Sequence, residues 1–224
     1  MALEPALIVA AALDLLDAEG LDGLTMRKLA DALGVQAPSL YWYFPGKPAL
    51  LDAMANALLE DVARTIDKSA DFRLVLRQTS QELRRALLAR RDGARVYAGT
   101  FVLGENVLRL AEANIGTLMA AGFDARTSMR TGFSLLYFVL GFVIEEQAWA
   151  RETGTDPSIF ATRLAQWGEG RFPAVEAALP HFAELDQEER FTFGLDLMLS
   201  GFGRPASGPD DKIEHFLKVW NTLR

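Results

Sequence analysis

A chain of 224 residues, half of them hydrophobic, has enough apolar material for a small module plus one larger core, and too little for three domains. A formal net charge of −7 excludes a protein that coats nucleic acid through a broad basic field, and the absence of cysteine excludes disulfides, thiolate chemistry and cysteine-bound zinc. His181 and His215 alone cannot build a histidine-rich metal site, so neither a metal nor a cofactor is expected.

In chain order, residues 1–16 (MALEPALIVAAALDLL) contain acids and no basic leader. Ile8, Ala12, Leu15 and Leu16 recur at helical spacing, so the segment reads as an amphipathic helix closed by Gly20 rather than a signal peptide, and a cytoplasmic location is expected. Thr25 sits where an N-cap belongs, opening a helix that runs to Leu33 with Leu29, Ala30 and Leu33 on its apolar face. Gly34 ends that helix cheaply in the left-handed region. Pro38 falls where the next helix would begin, placing residues 36–43 in a short helix led by small and polar side chains. In such a helix-turn-helix the N-terminal end of the second helix meets base edges. Gln36 suits an adenine edge or a phosphate, Ala37 and Pro38 suit thymine methyls, Ser39 and Tyr41 can donate to phosphate, and Lys47 follows one turn on. The same spacing occurs in all-helical proteins that never meet DNA. Local positive charge rests on Arg27, Lys28 and Lys47, while Asp14, Asp17 and Glu19 fall on the preceding helix.

Beyond Leu59 no run of strict alternation predicts a strand, and the fold class is all-α: a head over 1–47 and a larger helical domain over 48–224. Helices are expected over 48–66, 72–89, 92–98, 105–121 (ended by Gly122) and 125–151. A loop is expected over 152–158, then two more helices, the second ending before Pro180. The run FSLLYFVLGFVI (133–144) is too short to span a membrane by itself and ends in Glu145, Glu146 and Gln147. A helix apolar on nearly all sides must be covered on nearly all sides, which predicts a second subunit. Its partner is the helix at 191–202, where Phe191, Leu195, Met198 and Phe202 form a stripe and Gly194 and Gly201 share a face. The predicted interface is Leu135, Phe138, Phe142, Phe191, Gly194, Leu195, Met198, Gly201 and Phe202; a contact within one subunit is the alternative. Residues 203–209 (GRPASGP) read as a linker to an amphipathic helix carrying Ile213, Phe216, Leu217, Trp220 and Leu223, able to pack on its own bundle, extend the dimer contact or cap a pocket.

LTMRKLADALGV, SLYWYF and GKPALLDAM together resemble the DNA-binding head of the TetR family of bacterial transcriptional repressors. The likeness continues into ALLARRDGARVYAGT (86–100) and GFVIEEQ (141–147), covering most of residues 5–200. It implies that Thr25 and Arg27 hold or read DNA, that Gln36, Ala37, Pro38, Ser39, Tyr41 and Tyr43 belong to the recognition helix, and that Lys47 clamps a phosphate. Leu40 and Phe44 alternate with these as core, and the role of Trp42 stays open. It also implies a homodimer on a palindromic operator, held by a four-helix bundle. A third implication is an effector pocket lined by Thr79, Leu83, Tyr97, Thr100, Phe101, Asn114, Ile115, Met129, Phe133 and Glu145.

In tetracycline-binding members a histidine and magnesium-bound waters hold the drug. Tyr97 takes that histidine's place here, Thr79 replaces an asparagine, Phe101 replaces an arginine, and a second histidine is lost near Val62 or Ala63. A mostly apolar small molecule without magnesium is therefore the expected effector. Glu145 either faces the cavity or is a solvent-exposed helix-end acid. Effector would move the 92–98 segment, hinged at Gly93 and Gly99, against the connecting helix and change the spacing of the heads. The expected function is a ligand-responsive repressor. The alternatives are a helical binding protein whose head reads no DNA and an enzyme, for which no nucleophile–base pair or paired-carboxylate motif is present.

Overall fold

The computed structural model describes residues 3–67, 69–100, 102–153, 170–182 and 186–202, together with 158, 162, 163 and 166. Among these, every regular element is helical: α1 (Pro5–Gly23), α2 (Met26–Leu33), α3 (Ala37–Tyr41), α4 (Lys47–Leu58), α5 (Phe72–Leu88), α6 (Gly93–Ala98), α7 (Glu105–Ala120), α8 (Ala125–Thr153), α9 (Pro173–Phe182) and α10 (Gln187–Gly201). Phe101, the 203–209 linker and the helix expected beyond it lie outside the described residues.

Helices α1–α3 form the head. Ile8, Ala12 and Leu16 are fully buried against Leu24, Leu29, Leu40 and Leu50, with Leu13 rather than Leu15 completing the α1 face. Helix α1 leaves helical geometry at Gly20, where φ is 74°. The Thr25 hydroxyl accepts from the Lys28 N–H at 3.2 Å, and Gly34 ends α2 at φ 65°. Helix α3 is shorter than expected: Gln36 is its N-cap, Ala37 rather than Pro38 is its first residue, and Trp42 and Tyr43 form a turn closed by the Leu40 carbonyl. Pro45 keeps the segment from continuing as helix beyond the turn, because a proline disfavours helical geometry in the residue before it, Phe44.

Helix α4 ends at Leu58, eight residues before the expected Ile66. The apolar spacing that prolonged it is real, since Leu59, Val62 and Ala63 are all buried, but Ala63 sits at φ 55° and its N–H donates to Glu82 Oε2 at 2.8 Å. Helices α5, α7, α8 and α10 make the larger core around Leu76, Leu83, Leu87, Leu118, Leu135, Val139, Val143, Phe191 and Leu195. Helix α6 packs between α4, α5 and α8. Helix α9 runs through Pro180, which lies in its last turn, where only one backbone bond is forfeited. Residues 125–151 of α8 are long and apolar enough to cross a membrane by length and composition. The packing of α8 against α5, α6, α7 and α10 accounts for one apolar face of this helix, the face carrying Leu135, Val139 and Val143.

Candidate DNA-reading head and effector bundle

The recognition segment sorts cleanly by exposure. Leu40 and Phe44 are buried in the head core, while Gln36, Pro38, Tyr41, Trp42 and Tyr43 are exposed and Ala37 and Ser39 are half-buried. Trp42, left open by the sequence, is 90 % exposed and can only be a surface group. Thr25 uses its hydroxyl oxygen as an acceptor, leaving the O–H proton for an outside partner. Arg27 is exposed and forms no ion pair or hydrogen bond with another of the described residues. Lys28, by contrast, is paired with Glu19 at 2.7 Å.

Two predicted contacts are also engaged internally. The Tyr43 hydroxyl donates to the Leu3 carbonyl at 2.6 Å, tying the start of the chain to the end of the recognition segment. The Lys47 ammonium donates to the Leu21 carbonyl at 3.0 Å, which uses one of its three protons and fixes it beside the head.

The acids of α1 are not directed at a nucleic acid. Arg90 pairs with Asp17 at 2.6 Å and Asp14 at 3.2 Å, the Arg91 N–H donates to Asp17, and the Arg91 side chain reaches the Ala18 carbonyl. At the centre is Asp92, 4 % exposed and at φ 56°, which accepts from the Leu21 N–H at 3.0 Å, Arg95 at 3.3 Å and Arg151 at 2.5 Å. Burial raises the pKa of this carboxyl, but the Leu21 amide, Arg95 and Arg151 together outweigh it and hold the group below the ordinary aspartate value. The corner between α5 and α6 is thus pinned to the head. Sequence reasoning missed this, although the arginines at 90, 91 and 95 complement the acids at 14, 17 and 22 in charge.

The expected effector residues separate into two groups. Thr79, Leu83 and Asn114 are buried inside the bundle, where the single Thr79 hydroxyl proton has Asn114 Oδ1 at 2.7 Å as its nearer acceptor and the Leu76 carbonyl at 3.1 Å as its farther one. Tyr97, Thr100 and Ile115 are half-buried, and the Thr100 hydroxyl donates to the Tyr97 carbonyl at 2.8 Å. Burial pushes the Tyr97 phenol above its ordinary value, so it stays neutral across the physiological range. A magnesium ion of the kind used by tetracycline-binding relatives does not fit here, because a neutral phenol replaces the histidine ligand.

Met129, Phe133 and Glu145 do not join the buried group. They are exposed, with Tyr137 and Gly141, on one stripe of α8 with four-residue spacing. An open cavity of about 880 Å³ lies away from all of these residues, between α1, α4 and α5, floored by Val9, Leu13, Phe44 and Ala57. Gly93, expected as a hinge, is buried so tightly that a Cβ there would collide with the Leu87 carbonyl.

Three of the expected interface residues, Leu135, Phe191 and Leu195, are buried within the subunit and present nothing outward. Arg84 lies over the Phe191 ring, bonds bidentately to Glu146 at 2.8 and 3.0 Å, and also pairs with Glu188. Gly194 packs on the Phe138 ring, where a Cβ would come within 2.8 Å, so its smallness serves α10 against α8 of the same chain. Phe138, Phe142, Met198 and Phe202 are half-buried and Gly201 is exposed, whereas Phe193 and Leu197, not predicted, are strongly exposed.

Residues 8–54 match the family described as bacterial regulatory proteins, tetR family, and residues 67–204 match the tetracyclin repressor-like C-terminal domain. The tetracycline repressor protein class C of Escherichia coli is 42 % identical over 199 residues, covering 87 % of this chain and 88 % of that protein. A possible TetR family transcriptional regulator from Streptomyces coelicolor A3(2) has 41 % identity and a TM-score of 0.79, over 88 % of this chain and 98 % of that one. ActR of Streptomyces coelicolor, in complex with actinorhodin, superposes with a TM-score of 0.79 at 30 % identity, over 90 % of this chain and 97 % of that one. The chain belongs to the TetR family of bacterial regulatory proteins. It is a ligand-responsive DNA-binding transcriptional regulator, and these relatives are transcriptional regulators rather than enzymes.

Proposed function

We propose that the chain is a non-enzymatic, cytoplasmic repressor that binds a palindromic operator as a homodimer and is released by a mostly apolar small molecule taken without magnesium. The observation that carries this reading is the division of the recognition segment into a buried edge, Leu40 and Phe44, and an exposed edge, Gln36, Pro38, Tyr41 and Trp42. An exposed tryptophan and tyrosine beside polar groups suit a phosphate-lined groove and nothing inside the subunit. Residues 1–47 act as the reading head and 48–224 as the effector and dimerisation domain. Arg27, Gln36, Ala37, Pro38, Ser39 and Tyr41 contact DNA, with Thr25 and Lys47 donating to phosphate and Tyr43 holding the N-terminal arm. Near the head the acids are partly offset locally, since Asp14 and Asp17 share Arg90 and Glu19 holds Lys28.

The effector is read by Thr79, Leu83, Tyr97, Thr100, Asn114 and Ile115. That a relative is found with actinorhodin supports a small-molecule ligand for these residues, among which Tyr97 supplies a neutral donor. The dimer face is the exposed stripe Met129, Phe133 and Tyr137 on α8 with Phe193 and Leu197 on α10, flanked by Phe138, Met198 and Gly201.

Selection of bound sequences from a pool of random duplexes at moderate salt tests the reading. A palindrome with half-sites about one helical turn, or a multiple, apart is expected. Gln36→Ala should then weaken the selected site by about 1–3 kcal/mol and relax one base position. Recovery of no enriched sequence would sink the proposal in favour of a binding protein whose head is unused.

A further inference from the structure

Helix α7 begins without a cap of its own, since Gly104 precedes it. The missing acceptor comes from another helix: Asn56, on α4, takes the Asn106 N–H at 3.0 Å and the Val107 N–H at 3.4 Å on its Oδ1. A Cβ at position 104 would fall on that carboxamide. The exchange is mutual. Asn106 Nδ2 donates to the Asn56 carbonyl at 2.9 Å, and Arg109, one turn along α7, donates to the carbonyls of Leu59 at 2.9 Å, Glu60 at 2.6 Å and Val62 at 3.0 Å. These lie just past the C-terminal end of α4, where the Leu59 carbonyl also accepts from the Val62 N–H and the Glu60 carbonyl from Arg64. Asn106 Oδ1 accepts from Arg109 at 2.9 Å and fixes the guanidinium plane. The start of α7 and the end of α4 are therefore tied to each other from both sides.

Helix α4 also carries Lys47, which holds the Leu21 carbonyl of the head. We propose that the reciprocal cap sets where the head sits, so that Asn56 and Arg109 are positioning residues for operator binding and α7 transmits bundle movements to α4. The inference rests on the operator-binding reading given above. A tilt of about 5° at the capped end moves the far end of α4, roughly 18 Å away at 1.5 Å per residue, by about 1.5 Å. A shift of that size displaces side chains from base edges that they must meet within hydrogen-bond reach. Lysine cannot replace Arg109, because one ammonium cannot span three carbonyls and the Asn106 carboxamide in the fixed fork that a guanidinium offers.

The chain has no cysteine, so thiols introduced as Ala32→Cys on α2 and Ala120→Cys on α7, both exposed, take spin labels uniquely. Dilution of the labelled chain into an excess of unlabelled protein leaves only the intrachain head-to-core distance, read by pulsed electron resonance. The unsubstituted background should give one narrow distribution. Asn56→Leu and Arg109→Lys should broaden it and lower affinity for the selected duplex about tenfold, with helical circular dichroism unchanged. Asn56→Asp, whose carboxylate accepts the same two amides, should restore both readouts. An unchanged distribution in Asn56→Leu and Arg109→Lys, or an Asn56→Asp protein as broad as Asn56→Leu, overturns the proposal. Should random-duplex selection return no operator, the binding reading fails by itself, while the distance distribution still decides the cap.

Discussion

Asp92 holds three elements with one carboxylate: the Leu21 amide of the head, Arg95 of α6 and Arg151 of α8. Its pKa is depressed on folding, so the stability it contributes is complete above the unfolded value, about 3.9, and is lost as pH falls through the lower folded value. Head docking should therefore be insensitive to pH between about 5 and 8 and weaken only in stronger acid. Asp92→Asn, which tolerates the left-handed backbone, should lower the urea midpoint at neutral pH and remove part of the acid dependence; matching pH profiles for the two proteins would refute this. The same residue marks a limit of sequence reading. Thr25, Gly34 and Pro38 announce their roles through neighbours three or four positions away, whereas the amide that Asp92 accepts is 71 residues distant. The arginines around it are visible in the sequence, but their partners are not.

Helix α8 shows the corresponding limit for elements. Its sequence is apolar on almost every side, so its periodicity carries no phase, and the side facing a second subunit cannot be told from the side facing α5 and α7. The structure supplies the phase: Leu135, Val139 and Val143 turn inward, and Met129, Phe133 and Tyr137 outward. Helix α10 divides the same way, with Phe191, Leu195 and Leu199 buried and Phe193 and Leu197 exposed. If the outward stripe is the dimer face, Tyr137→Glu with Phe193→Glu should sediment as a folded monomer with little change in melting temperature. Phe191→Ala should instead destabilise the subunit by about 3–5 kcal/mol. A charged double variant that still sediments as a dimer places the interface elsewhere. The early end of α4 has a related cause, for Leu59, Val62 and Ala63 keep helical spacing and burial while the backbone leaves the helix at a point fixed by Glu82 and Arg109.

At the scale of the whole molecule, the head is fastened at the α5–α6 corner, through Asp92 and through Arg90 and Arg91, while α4, which leads out of the head, is fastened to α7 by their paired ends. A ligand that shifts the bundle must work against both fastenings, and the coupling is necessarily reciprocal. A compound that releases the selected duplex, found in a screen that includes tetracycline and actinorhodin, should bind free protein and DNA-bound protein with affinities that differ by the factor it imposes on operator binding. Equal affinities in calorimetry would end the release mechanism. The all-helical architecture and the head were legible in the sequence because they rest on local caps and short apolar repeats. Of the residues the sequence offered for an effector pocket, Thr79, Leu83 and Asn114 lie inside the bundle, while Met129, Phe133 and Glu145 lie on its surface, a division set by the phase of α8 that periodicity could not supply.

Gly104 leaves a trace that can be sought without purifying anything. Any other residue at 104 would place a Cβ on the Asn56 carboxamide, so a descendant that gains a side chain there must also move or give up the asparagine, whereas Asn106 and Arg109 bond main-chain carbonyls and keep their partners. Across a set of close homologues positions 56 and 104 should therefore be inherited or exchanged together, with 106 and 109 free to outlast them.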